Sequence, residues 1–167
     1  MKPLLQMTRC EETASQYQVA DGLAQALASA GKMQRVECGD RLFSFGDAAQ
    51  GVYLIVNGTA RASLPGGAGH ELVCQTAGPG SVLGLPSALC ATRYQFDVVA
   101  VESVDAIFVE ATAVNEILRG QPELCMRVMN MMCDELSALR QTSEHMRNCM
   151  QQSCSLHGAC MQAENLQ

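Results

Sequence analysis

Apolar residues first recur at helical spacing between Ser15 and Ala30, a stretch rich in Ala, Leu and Gln in which Leu23 and Leu27 lie four apart. That spacing predicts a short helix ended by Gly31 as its C-terminal cap. Residues 1–14 carry no clear periodicity and are expected to fray.

From Met33 to Glu110 the period shortens. Apolar, β-branched runs cover Arg41–Phe45, Gly51–Val56, Thr59–Leu64, Glu71–Thr76, Gln95–Val101 and Val104–Val109. Between them lie Gly46-Asp47, Asn57-Gly58, the 65–69 segment Pro-Gly-Gly-Ala-Gly, Gly78-Pro79-Gly80 and Glu102-Ser103. Turn signals at about every 8–12 positions are the mark of an all-β unit. Asn57-Gly58 predicts a tight hairpin turn with positive φ at both central positions. A compact antiparallel barrel or jelly roll fits.

Helical spacing returns at Thr112, with Val114, Ile117 and Leu118 before Gly120. Pro122 then opens a second helix, at a first-turn position where its missing N–H is harmless. Along it Cys125, Met129, Met132, Leu136, Leu139, Ser143, Met146 and Met150 recur in alternating steps of four and three. A helix lying along the barrel would use such a stripe as ordinary core. A 3.5-residue period held for about 25 residues favours a seam between two helices, and so a homodimer. The many methionines make that seam soft and adaptable.

Composition narrows the function classes. Of 167 residues, 48% are apolar and 17% charged, with four Phe, three Tyr and no Trp, so the core is expected to rest on Ala, Val, Leu, Ile and Met. The formal charge of −6, with Lys and Arg scattered singly from Lys2 to Arg147, argues against a free-standing nucleic-acid binder. No apolar run approaches the roughly 20 residues of a spanning helix, and no export signal is visible, so a cytoplasmic location is the default. Nine cysteines in a reducing compartment are expected to be thiols, ligands or redox groups.

Several motifs, in order, resemble the cyclic-nucleotide-binding fold of the catabolite-activator and fumarate/nitrate-regulator (Crp/Fnr) superfamily. They are Gly39-Asp40-Arg41-Leu42-Phe43-Ser44-Phe45-Gly46-Asp47, Val52-Tyr53-Leu54-Ile55-Val56-Asn57-Gly58, Gly78-Pro79-Gly80-Ser81-Val82-Leu83-Gly84, and Pro122-Glu123-Leu124 with the helix after it. The resemblance spans residues 15–148. It implies an α+β, mainly-β architecture: an antiparallel β-roll with a short N-terminal helix and a long C-terminal dimerisation helix. The divisions are a flexible 1–14, a sensor roll over 15–121, a helix over 122–150 and a Cys-rich tail over 151–167. The resemblance places the ligand cassette at Gly84, Leu85, Pro86, Ser87, Arg93 and Tyr94.

Two departures from the family matter. Nucleotide-binding relatives follow the cassette glycine with a Glu that holds the ribose, and place a phosphate-binding Arg about ten residues on. Here Leu85 and Pro86 follow Gly84, neither with a side-chain acceptor, and the Arg position falls near Tyr94 or Gln95, beside Arg93. Cyclic AMP is therefore not the expected signal. The second departure is that DNA-binding relatives continue into a helix-turn-helix domain. Asn148–Gln167 contains neither Lys, Arg nor an aromatic residue, so DNA binding by this chain alone is not expected. The chain reads as a stand-alone sensor with a protein partner, or as the sensor part of a longer DNA-binding regulator.

The C-terminal part is rich in sulfur. Seven of ten Met and five of nine Cys fall between Cys125 and Met161. Cys149, Cys154, His157 and Cys160 form a candidate metal or iron–sulfur set, with reduced unliganded thiols or a redox switch as the other readings. Cys38, Cys74 and Cys90 are expected to be buried packing residues. His70 reads as a solvated turn residue, with haem ligation the alternative. No nucleophile elbow, phosphate-cradling Gly-Lys loop or paired carboxylates appear, so no catalysis is expected.

Overall fold

The computed structural model describes residues 21–65 and 71–133. Two four-stranded antiparallel sheets face each other. One has the order β1-β8-β3-β6 and the other β2-β7-β4-β5. The strands are β1 (Lys32–Val36), β2 (Arg41–Phe43), β3 (Gly51–Asn57), β4 (Ala60–Pro65), β5 (Glu71–Ala77), β6 (Val82–Leu83), β7 (Asp97–Ala100) and β8 (Val104–Glu110). Three helices, α1 (Asp21–Ala30), α2 (Leu85–Leu89) and α3 (Ala111–Gly120), accompany them. A fourth, α4, runs from 122 to 133, where the described residues end.

The two central strands β3 and β8 are buried on both faces, which is why they read as near-continuous apolar runs. Ile55 of β3 with Val104 and Ala106 of β8 face the second sheet, where they meet Phe43, Ala60, Ala62, Val98 and Ala100. The alternate positions, Val52, Leu54, Ile107 and Val109, are buried as well. Successive strand side chains point to opposite faces, so these four serve the helix side of the sheet. There α1 and α3 pack on β3 and β8, contributing Leu23, Leu27, Val114 and Leu118.

All six strand runs read from the sequence are strands. Three further elements had no sequence signal: β1, β6 and α2. The first is exposed along most of its length, and the other two are very short. The turn at Asn57-Gly58 does not close the expected hairpin, because it joins β3 to β4 across the two sheets and those strands do not pair. Only Gly58 has positive φ, at 84°, and Asn57 is the last residue of β3. A side chain at 58 would also strike the Ser103 carbonyl. Gly31 is likewise not a left-handed cap. It is needed because a Cβ there would collide with Ile107 and the Phe108 carbonyl, so α1 ends pressed against β8. The core differs from expectation too. Among the described residues no Met is buried, and stacked rings are part of the core.

α4 begins at 122 as Pro122 predicts, with the Leu124 and Cys125 amides donating to the Gln121 carbonyl. Leu124 and Val128, four apart, are buried, and Leu124 meets α1 at Gly22. Of the heptad positions, Cys125 and Met132 are half-buried and Met129 is 52% exposed. Leu136, Leu139, Ser143, Met146 and Met150 lie outside the described residues.

Candidate functional site

The cassette segment 84–95 leaves β6 and crosses to β7. Gly84 adopts φ 82°, ψ 3°, a left-handed conformation that L side chains rarely take, and turns the chain into α2. Leu85, Ser87 and Ala88 turn inward and are buried, whereas Pro86 is exposed. The helix stops after one turn, with Ala91 at φ 50°. The Thr92 amide then donates back to the Ser87 carbonyl at 3.0 Å.

A backbone ladder ties the second half of this segment to the loop before β3. Ala49 N–H donates to Thr92 O at 3.1 Å, Tyr94 N–H to Asp47 O at 2.9 Å and Gly46 N–H to Tyr94 O at 2.9 Å. The exposed Arg93 guanidinium donates to the Gly46 carbonyl at 2.6 Å. The cation nearest in sequence to the cassette is thus turned outward to its own scaffold.

Tyr94 takes the opposite course. It is 4% exposed, and its ring stacks on Phe43 with centroids 3.9 Å apart and planes inclined by 20°. Phe43 leans on Tyr53, which leans on Phe108, so four rings form one connected knot. The Tyr94 hydroxyl donates to the Gly51 carbonyl at 2.8 Å and accepts from the Gly51 amide at 3.4 Å. Burial raises the pKa of this phenol above its usual 10.0, with the backbone of Gly51 and Gln50 opposing in part, so the group is neutral. Burial also raises Tyr53.

The six cassette residues are therefore brought into one short segment but face different ways. Leu85, Ser87 and Tyr94 are buried, Pro86 and Arg93 are exposed, and Gly84 is half-buried. Cys38 and Cys90 are exposed, contrary to the buried role expected of them. The Cys38 thiol reaches the Val101 carbonyl at 3.0 Å. The side chain of Cys74, the residue His70 and the set Cys149, Cys154, His157 and Cys160 lie outside the described residues. Among the described residues no group of three or more His, Cys, Asp or Glu is placed to hold a metal, and no helix is long and apolar enough to cross a membrane. Sequence reasoning missed Phe43 and Gly51 as site residues. The signal for Phe43 was present, as an aromatic residue inside the first family motif.

Comparison with known proteins agrees with the architecture. The family model for the cyclic nucleotide-binding domain matches residues 33–121, just over half of the chain. No curated protein sequence matches. Among solved structures, the catabolite activator protein of Thermus thermophilus superposes with a TM-score of 0.69 at 20% identity, over 76% of this chain and 60% of that one. The N-terminal domain of a transcriptional regulator from Streptomyces coelicolor A3(2) gives 0.58 at 18% identity, over 71% and 85%. A cAMP-binding acyltransferase from Mycobacterium smegmatis gives 0.56 at 25% identity, over 70% and 36%. This chain thus spans about 60% of the length of the Thermus protein. With its paired antiparallel sheets and the matched 33–121 segment, the chain belongs to the cyclic nucleotide-binding domain family.

Proposed function

We propose that this chain is a non-catalytic regulatory domain whose roll answers to a signal other than a cyclic nucleotide. The response is passed through the helix that starts at Pro122 to a homodimer and a protein partner. One observation carries the reading. Where nucleotide-binding relatives present a ribose-holding acid and, near Tyr94 or Gln95 here, a phosphate-holding cation, this chain has the buried Leu85, 1% exposed, the buried neutral Tyr94 and the exposed, uncharged Gln95.

A cyclic phosphate entering such a site would shed water against apolar surface and gain no counter-charge, which costs several kcal/mol. Arg93, a cation within the cassette, already donates to the Gly46 carbonyl at the surface. The regulatory part of the reading is supported by the Thermus neighbour, named a catabolite activator protein, and the Streptomyces neighbour, named a transcriptional regulator.

Titration calorimetry of the wild-type protein with cyclic AMP and cyclic GMP is the test. The expected result is no heat at micromolar ligand. Micromolar binding that is lost in Arg93→Ala would restore the nucleotide reading. A second reading places a metal or iron–sulfur centre on Cys149, Cys154, His157 and Cys160, favoured by their close spacing. A visible spectrum of anaerobically prepared protein decides it, because colourless, metal-free protein removes that reading.

A further inference from the structure

We infer that Asn57 is a self-modification site, where the chain converts its own side-chain amide to a carboxylate at the crossing from β3 to β4. The inference does not depend on the reading of 84–95 as a ligand cassette.

Of the five asparagines in the chain, Asn57 alone is followed by glycine. That neighbour matters because no side chain shields a glycine nitrogen. Giving up its proton to base, the Gly58 amide nitrogen attacks the side-chain carbonyl carbon of Asn57. A new Cγ–N bond closes a cyclic imide, the Cγ–Nδ2 bond breaks, and ammonia leaves with a proton. Water then opens the imide at either carbonyl. One opening gives aspartate and the other isoaspartate, whose main chain is longer by one carbon. Water is consumed, ammonia is released, and nothing is oxidised or reduced.

The structure leaves this pair open to the reaction. Asn57 is exposed, and among the described residues its side chain has no hydrogen-bond partner. Asn115, by contrast, lies inside α3 and donates to the Ala111 carbonyl at 2.9 Å. Asn57 ends β3, just after a register shift against β8, so only the end of one strand has to open for the nitrogen to reach Cγ.

The product charge falls at an unfavourable place. Arg35 of β1, Asp105 of β8 and Asn57 of β3 are successive register partners across one sheet. Such partners carry their side chains on one face, with Cβ atoms about 4.5–5.5 Å apart, and like charges there repel. Arg35 is already shared, donating to Glu37 at 3.2 Å and to Asp105 at 3.4 Å. A carboxylate at 57 thus meets that of Asp105 while the cation of the row is engaged. The isoaspartate form also adds length without slack. A Cβ on Gly58 would strike the Ser103 carbonyl, so the crossing lies flat on 103–104 and an extra main-chain carbon lifts it away.

Peptide mass spectrometry of the full chain, held in mildly alkaline buffer, reads the conversion. Ammonia should be released as the Asn57 peptide gives way to two products with the mass of the aspartate form, with Asn115 unchanged. A free peptide of residues 54–60 sets the intrinsic rate. The fold should slow conversion by less than roughly a hundredfold, and a larger slowing overturns the inference. Asn57→Asp supplies the charge without the reaction. It should lower the melting temperature by roughly 2–5 °C, less in molar salt, and adding Asp105→Asn should restore it. An Asn57→Asp protein that melts with the wild type overturns the inferred effect of the charge.

Discussion

Gly84 carries two constraints at once. Its φ is left-handed, and its missing Cβ leaves room for the Tyr94 ring. Gly46 shares the first constraint without the second, since nothing lies within 4 Å of a Cβ there. Left-handed strain alone costs an alanine about 1–2 kcal/mol. Gly84→Ala should therefore destabilise by about 2–3 kcal/mol, and Gly46→Ala by only about 1 kcal/mol, in urea unfolding. In a Tyr94→Ala background the extra cost at Gly84 should vanish, a coupling of about 1 kcal/mol. Equal penalties at the two glycines would mean that the ring does not set the cassette. The phenols give a pH signature at the same place. Tyr53 and Tyr94 both have pKa values raised by burial, so the folded state holds protons that the unfolded state releases. Their contribution to stability is complete below the ordinary value of 10.0 and is lost as pH rises from there through the folded values. The urea midpoint should fall above that pH together with the appearance of phenolate absorbance, and the fall should be shallower in Tyr94→Phe. The resemblance already placed Tyr94 in the cassette, with the expected Arg position near Tyr94 or Gln95. It did not show that the ring turns inward while Arg93 turns out, because that depends on the ladder from 46–49 to 92–94.

Elements whose burial repeats along the chain were the legible ones. β3 and β8 announce themselves because both faces are covered, and α3 because Val114 and Leu118 share one side. β1 stayed hidden. Lys32, Met33, Gln34 and Arg35 are all exposed, and the strand exists by pairing with β8, a partner some seventy residues away. No local periodicity can report a pairing that distant. α4 shows how one helix can carry two stripes of which sequence singles out one. The heptad draws attention to Cys125, Met129 and Met132, yet it is Leu124 and Val128, 2% exposed in the second case, that dock its first turns onto the domain. Leu124→Ala is accordingly expected to cost about 2–3 kcal/mol and Val128→Ala about 1–2 kcal/mol. Met126→Ala, at an exposed position, should change stability by less than about 0.5 kcal/mol. Chemical denaturation of the three variants checks the order. A reversed order would place the docked face of α4 elsewhere.

For the molecule as a whole, the arrangement of those two stripes bears on assembly. The docked stripe keeps α4 attached to the roll through Val128. The heptad stripe then presents Met129, 52% exposed, with Cys125 and Met132 half-buried beside it. An apolar strip of flexible thioethers along a helix is costly to leave in water and cheap to bury against a copy of itself, because Met adapts to an imperfect seam. That is the physical case for the homodimer, and it separates the two stripes experimentally. Met129→Glu introduces a charge at a seam position without touching the Leu124–Val128 face. It should leave each domain folded, with an unchanged far-ultraviolet spectrum, and convert a wild-type dimer to monomer in sedimentation equilibrium at micromolar concentration. The corresponding change at Val128 should instead unfold the domain. A Met129→Glu protein that sediments as a dimer would move the seam away from this stripe, and a monomeric wild type would remove the dimer from the signalling route altogether. The output of the roll would then have to be read by a partner directly at α3, whose first turn is joined to Gln50 and Gly51 in the same chain.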